Sequence, residues 1–133
     1  FLPCSTGKGL PMIGYTTIGT NDLGKALAFY DALLADLGGK RVMDTRNGHL
    51  YGFAQGPFFG VTKPFDGNVQ ASGNGNMIAF SCANRDKVSD LHAKALSLGG
   101  SDEGAPGERG GGRYAAYFRD PDGNKLCVFT MGE

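Results

Sequence analysis

The feature that most constrains the fold is a strand-then-helix order that occurs twice at a nearly constant offset. A β-branched and aromatic run, MIGYTTIGT, leads into the helical pattern DLGKALAFYDALLADLG, and MIAFSCA leads in the same way into NRDKVSDLHAKALSLGG. Tyr15 and Met77 are 62 residues apart, and Asn21 and Asn84 are 63 apart. A period of this size indicates two copies of one structural plan.

The segments after each helix complete the plan. Three strand-like runs, KRVMDT, HLYGFA and FFGVTK, follow the first helix, and Asn47–Gly48 predicts a type I′ hairpin turn between the first two. After the second helix, RYAAYFR and KLCVFT flank a DPDGN turn. Before them, SDEGAPGERGGG predicts a loose glycine-rich loop with only a weak strand at residues 101–103.

This order predicts an α+β fold made of two βαβββ modules, at about residues 12–66 and 76–131. Each curved mixed sheet is expected to carry its helix on the outer face, and the two sheets together form a cup. Which strand face meets the helix stays open, because both faces of the strands carry apolar residues. Asn21 or Asp22 is expected to cap the first helix.

Charge and cysteine content exclude several classes of partner. The 13 basic and 13 acidic residues are scattered without blocks, so neither a nucleic-acid footprint nor a polybasic membrane patch is present. No apolar run approaches the roughly 18 residues of a membrane-spanning helix. Cys4, Cys82 and Cys127 are odd in number and irregular in spacing, which argues against a disulfide framework and favours the cytoplasm.

Patterned sequence begins only at Met12. We expect residues 1–11 to be a leader or an expression-derived extension and residues 12–133 to form a single domain. The STGKG in this extension lacks the spacing of a phosphate-binding loop, so no nucleotide site is predicted there.

The paired βαβββ order, the segment TNDLGKALAFYDALL and the closing RDPDGNKLCVF resemble the glyoxalase, bleomycin-resistance and extradiol-dioxygenase superfamily, also called vicinal oxygen chelate proteins. The resemblance covers residues 12–131. Metal-using members place one ligand, usually His or Glu, on the first strand and another on the last strand of each module. The resemblance puts these positions at Tyr15, Met77, Cys127 and either Gly60 or Thr62.

These residue types are poor ligands for a divalent cation, which prefers several imidazole, carboxylate or thiolate groups. We therefore expect no metal and no other cofactor, which puts in doubt every activity that needs the metal. His49 and His92 belong to other elements and are expected to lie at the surface or pack beside a helix. Glutathione-using relatives carry an arginine four residues beyond the first ligand, where this chain has Gly19.

The cup is expected to hold a small organic molecule among residues of the strands. Its predicted lining consists of Tyr15, Thr17, Thr62, Met77, Ala79, Tyr117, Cys127 and Phe129. Cys127 is expected to act as a small apolar wall rather than as a nucleophile, because no neighbouring group is evidently placed to lower its pKa. Tyr114 is a further candidate for hydrogen bonding to a ligand.

Two segments beside the strands carry alternative readings. Glu108, Arg109 and Arg113 could close over a bound anion or could belong to a solvated loop. The KPFDG segment, residues 63–67, could clamp a ligand or simply shape a crossover.

The leading hypothesis is a metal-free binding protein similar to the antibiotic-binding branch of the superfamily. The alternatives are a lyase or isomerase of the lactoylglutathione lyase type, with displaced metal ligands or a metal-free mechanism, and a non-catalytic interaction module. No catalytic residue is assigned. The resemblance also implies a homodimer, with no nucleic-acid or membrane partner.

Overall fold

The computed structural model describes residues 11–132, which form two compact units with a boundary between Gln70 and Ala71. Each unit consists of one helix packed against a four-stranded mixed sheet. The predicted α+β class and the repeated βαβββ order are confirmed. The predicted extension at residues 1–11 lies, apart from Pro11, outside the described residues.

The first unit contains five elements. They are β1 (Tyr15–Gly19), α1 (Leu23–Ala35), β2 (Lys40–Asp44), β3 (Gly48–Gly52) and β4 (Phe58–Thr62). The sheet order is β1-β4-β3-β2. Strand β1 runs parallel to β4, and the other neighbours are antiparallel. The helix and the β2–β3 hairpin therefore separate β1 from β4 in sequence, although these two strands are neighbours in the sheet.

The second unit repeats this arrangement. Its elements are β5 (Ile78–Ser81), α2 (Arg85–Ser97), β6 (Ser101–Glu108), β7 (Tyr114–Arg119) and β8 (Lys125–Thr130). The sheet order is β5-β8-β7-β6, with β5 parallel to β8. The 62-residue offset in the sequence thus corresponds to equivalent strands of two similar sheets.

Both helices begin at a polar cap and end before a glycine. The Asp22 side chain accepts a hydrogen bond from the Lys25 backbone N–H at 3.1 Å, and Asn84 accepts one from Lys87 at 2.9 Å. Asp22, not Asn21, is therefore the cap of α1. Gly38 has φ +77° and Gly99 has φ +108°, a conformation that glycine adopts at little cost after a helix.

Contacts with the helices identify which face of each sheet is covered. The Tyr51 hydroxyl donates to Asp31 Oδ1 of α1 at 2.7 Å, and the Tyr30 and Phe59 ring centroids are 5.2 Å apart. In the second unit the rings of His92 and Phe118 are 6.4 Å apart. Since strand residues alternate, every second residue lies on the opposite face, called here the helix-free face.

The glycine-rich segment after α2 forms a strand, although a loop with only a weak strand at residues 101–103 was predicted. Strand β6 runs from Ser101 to Glu108 and pairs with β7 through two register shifts. It lies at the edge of its sheet, where Pro106 can be accommodated because one side of the strand needs no ladder hydrogen bonds. Composition alone predicted a loop because glycine and proline are depleted in strands.

The β2–β3 turn also differs from its prediction. Asp44 pairs with His49, and the Thr45 N–H donates to the Gly48 carbonyl at 2.8 Å, so the two turn residues are Arg46 and Asn47. Gly48 itself is the first residue of β3. An added Cβ on Gly48 would collide with the Val61 carbonyl oxygen, so glycine is required here by the close approach of β4 rather than by the turn.

Within residues 11–132, neither helix has both the length and the apolar character needed to cross a membrane.

We expect Tyr51→Phe to lower the free energy of unfolding by about 1.5 kcal/mol, because it removes a short hydrogen bond from a buried hydroxyl to a carboxylate. Tyr114→Phe is the matched control, since its hydroxyl makes only a 3.5 Å contact with Ser89. The control should change the unfolding free energy by less than about 0.5 kcal/mol. Urea denaturation of the three proteins makes the comparison, and equal losses in both variants would contradict it.

Candidate functional site

Strand register aligns three residues across the helix-free face of each sheet. In the first unit Thr17 pairs with Gly60, and Gly60 pairs with Leu50. In the second unit the corresponding row is formed by Ala79, Cys127 and Tyr117. Thr17 and Ala79 are related by the 62-residue offset, so Gly60, and not Thr62, is the equivalent of Cys127.

The Gly60 position offers no donor atom and little space. A Cβ added there would lie 2.8 Å from Leu50 Cδ2 and 2.9 Å from Thr17 Cγ2. The two neighbouring side chains therefore cover the backbone where a family metal ligand would project. A larger side chain at this position would have to displace both of them.

Tyr15 is the first residue of β1, whereas Met77, predicted to lie on the first strand of its module, lies one residue before β5; both are large and accessible. Tyr15 is 63% exposed and Met77 is 43% exposed. Strand alternation places Tyr15 on the same face as Thr17. Thr17 and Ala79 are exposed as well.

The predicted lining residues fall into two sets, one on the helix-free face of each sheet. The first-unit set is Tyr15, Thr17 and Thr62, and the second-unit set is Ala79, Tyr117, Cys127 and Phe129. The remaining predicted residue, Met77, lies just before β5. Thr62 is half-buried and its hydroxyl donates to the Lys63 carbonyl at 3.0 Å. Tyr114 lies on the opposite face, against α2, where it approaches Ser89.

The donor set does not fit the divalent metal of the family. Among residues 11–132, no three or more His, Cys, Asp or Glu side chains are grouped closely enough to hold a metal ion. His49 Nδ1 lies 2.9 Å from Asp44, and His92 Nε2 lies 2.9 Å from Asp102. Both histidines thus have structural partners, and His92 is a buried residue of α2.

The position of the family arginine is also occupied. A Cβ on Gly19 would lie 2.8 Å from Gln70 Cγ. The Gln70 backbone N–H donates to Asn21 Oδ1 at 2.7 Å, which holds this residue next to the end of β1. An arginine side chain at position 19 would therefore require Gln70 to move.

Cys127 is a buried thiol with a cationic environment. It is 1% exposed, and burial raises its pKa. The positive charge of Arg113, a hydrogen bond with Tyr117 and the charges of Arg109 and Lys125 act in the opposite direction without overcoming burial. A thiol that stays protonated supports the interpretation of Cys127 as a wall residue rather than a nucleophile.

Three basic side chains gather at Tyr117, an arrangement that the sequence pattern only partly indicated. Arg113 Nη1 donates to the Tyr117 hydroxyl at 2.8 Å. The guanidinium carbon of Arg109 and the ammonium nitrogen of Lys125 lie 5.4 and 5.5 Å from the centroid of its ring. We call Arg109, Arg113 and Lys125 the cationic cluster. The sequence pattern placed Arg109 and Arg113 in a loose loop, so their approach to Tyr117 of β7 was not predicted.

A cavity of about 430 Å³ lies beside the KPFDG segment of the first unit. Its lining includes Asn21, Asn47, Lys63, Phe65 and Val69. Phe65 and Val69 are strongly exposed. The prediction that this segment could contact a ligand is compatible with this cavity.

Comparison with known proteins identifies the relationship. The model of the glyoxalase/bleomycin resistance protein/dioxygenase superfamily matches residues 12–128. The chain belongs to this superfamily. The solved structure of a glyoxalase/bleomycin resistance protein from Albidiferax ferrireducens T118 is similar to this chain, with 35% sequence identity and a TM-score of 0.81. The match covers 90% of this chain and 98% of that one.

More distant structures share the superfamily fold. A lactoylglutathione lyase from Agrobacterium tumefaciens is 19% identical, with a TM-score of 0.67 over 90% of this chain and 94% of that one. A family enzyme from Burkholderia phytofirmans PsJN is also 19% identical, with a TM-score of 0.73 over 89% and 97% of the two chains. At this identity the likeness concerns the fold alone. A search of curated proteins found no match.

We expect Gly60→Ala to lower the free energy of unfolding by about 1–3 kcal/mol, because the new methyl group would overpack the space between Leu50 and Thr17. Gly24→Ala is the control, since a Cβ there meets nothing closer than 3.8 Å on an exposed helix surface. It should change the free energy of unfolding by less than about 0.5 kcal/mol, as is usual for exposed positions. Urea titration measures both effects, and an unchanged stability for Gly60→Ala would show that the row is not closely packed.

We expect Cys127 to react with iodoacetamide at pH 8.5 far more slowly in the folded protein than in urea. The raised pKa keeps the folded thiol protonated at a pH where an unfolded cysteine is substantially ionised, and burial blocks access. Peptide mapping by mass spectrometry resolves Cys127 from the other cysteines. Alkylation of folded Cys127 at the rate of the unfolded thiol would contradict the wall interpretation.

Proposed function

We propose that this superfamily member binds a small organic molecule on the helix-free side of a sheet without a metal ion. The observation that carries the proposal is the donor chemistry at the four family ligand positions. Tyr15, Met77, Gly60 and Cys127 together offer a phenol, a thioether, no side chain and a buried thiol. Such a set suits contact with an organic surface better than coordination of a divalent cation.

The character of the exposed side chains supports binding of an organic ligand. Tyr15 and Met77 present large apolar surfaces, while Thr17 and Tyr117 provide hydroxyl groups on the helix-free faces. Small-molecule sites commonly combine apolar and aromatic walls with a few polar groups that orient the ligand. Methionine adds a flexible, polarisable surface that adapts to irregular shapes.

Binding is proposed ahead of turnover because the ligand positions lack a suitable acid–base group. A lyase or isomerase that moves a proton requires a positioned base, most often an imidazole or a carboxylate. None of the four residues at these positions provides one, and the Cys127 thiol is held protonated by burial. The lactoylglutathione lyase alternative is therefore treated as an outcome of the functional test.

The test combines native mass spectrometry with a pair of methionine variants. Protein purified without added ligand is expected to retain an organic mass, and Met77→Ser should reduce the retained fraction about tenfold by removing apolar contact area. Met12→Ser is the control, because Met12 is fully exposed and precedes the strands. Equal retention in both variants, or turnover of a hemithioacetal that chelation abolishes, would overturn the proposal.

We also propose that the protein forms a homodimer. The proposal follows from the superfamily relationship, and exposed apolar side chains such as Ile13 and Met131 are compatible with a covered surface. Light scattering at micromolar concentration should give twice the mass of one chain. A monomeric mass would contradict it.

We propose a cytoplasmic location because the described cysteines form no disulfide. Cys82 and Cys127 are both free thiols. Disulfides are rare in the reducing cytoplasm, where unpaired thiols of this kind persist.

A further inference from the structure

The cationic cluster concentrates positive charge on the helix-free face of the second unit. Its three members reach the same Tyr117 ring or hydroxyl, and all three are half-buried. Partial burial of a charge is costly unless an opposite charge or sufficient hydrogen bonding offsets it. Three like charges around one side chain add mutual repulsion, which weakens as water screens them but does not vanish.

No carboxylate forms an ion pair with the cationic cluster within residues 11–132. The acidic side chains of the adjoining strand β6 have other partners. Glu103 lies 3.2 Å from Arg119, and Glu108 lies 3.0 Å from Arg85. The cluster therefore keeps an excess of positive charge.

The backbone of β6 holds Arg109 in place. Its Nη2 donates to the Ala105 carbonyl at 2.6 Å. A Cβ on Gly107 would lie 2.8 Å from Nη1, and a Cβ on Gly104 would lie 3.4 Å from Nη2. The two glycines thus provide the space in which the guanidinium lies against the strand.

The loop between β6 and β7 brings the second arginine to the same place. Gly110, Gly111 and Gly112 have φ values of +87°, +63° and +78°, so three successive residues adopt a left-handed conformation. The Arg109 N–H donates to the Arg113 carbonyl at 2.8 Å across this loop. The RGGGR sequence consequently fixes two guanidinium groups near one tyrosine instead of leaving them extended in solvent.

We propose that the cationic cluster and Tyr117 bind the oxyanion group, a carboxylate or a phosphate, of a small molecule. Arg113 uses one nitrogen on Tyr117, which leaves its other N–H donors for a ligand, and the Lys125 ammonium donates no hydrogen bond to the described residues. Guanidinium groups match the geometry of both anions. The inference rests on the proposed function and names the chemical group that this face recognises.

The test uses two anions and a neutral analogue. ¹H–¹⁵N NMR spectra are recorded while sodium benzoate, inorganic phosphate or benzyl alcohol is added at an ionic strength held constant with sodium chloride. Benzoate or phosphate should shift the Nε–H signals of Arg109 and Arg113 saturably, and benzyl alcohol should bind at least about tenfold more weakly than benzoate. Saturation by benzoate identifies a carboxylate ligand, and saturation by phosphate alone identifies a phosphate ester.

Charge-removing variants distinguish anion binding at the cationic cluster from an effect of the protein's net charge. Arg113→Gln should weaken anion binding about tenfold, and Lys125→Gln provides a second variant should the first fold poorly. Arg46→Gln is the matched control, since Arg46 is an exposed residue of the β2–β3 turn, and it should leave binding unchanged.

Three results would overturn the inference. Equal binding of benzoate and benzyl alcohol would show that the anionic group is not recognised, while leaving small-molecule binding in place. Absence of saturable shifts with both anions would eliminate the site. An equal loss in Arg46→Gln and in the cluster variants would assign the effect to net charge alone.

Discussion

The parallel pairing of the first and last strands within each unit is the constraint on which the remaining structure depends. It brings β1 beside β4 and β5 beside β8, although a helix and a hairpin separate the partners in sequence. A parallel pair needs such a long crossover, and the helix in that crossover covers one sheet face. The opposite face is thereby left with Thr17 beside Gly60 in one unit and Ala79 beside Cys127 in the other.

The two units share this plan but differ in chemistry. In the first unit, Leu50 and Thr17 close over Gly60 and make the middle of the face apolar and tightly packed. In the second, Tyr117 pairs with Cys127, and the cationic cluster surrounds the Tyr117 side chain. A duplicated backbone can therefore carry different sites, because the strand register specifies positions and the side chains alone specify what they bind.

Sequence patterns predicted the elements that rest on local rules. The two helices and a cap at Asn21 or Asp22 are such cases, since each depends on residues within a few positions of one another. Strand β6 was predicted largely as a loop, because its pairing with β7 comes from distant contacts that outweigh the low strand propensity of glycine and proline. The choice between Gly60 and Thr62 likewise required the register, which no local pattern encodes.

The most direct test of metal-free binding is the metal content of protein expressed in rich medium and purified without chelators, measured by plasma mass spectrometry. Tyr15, Met77, Gly60 and Cys127 should leave the purified chain with far less than one equivalent of any transition metal. A stoichiometric metal that survives purification would contradict this expectation. It would mean that other residues supply the ligands and that metal-dependent catalysis, not simple binding, is the function to assay.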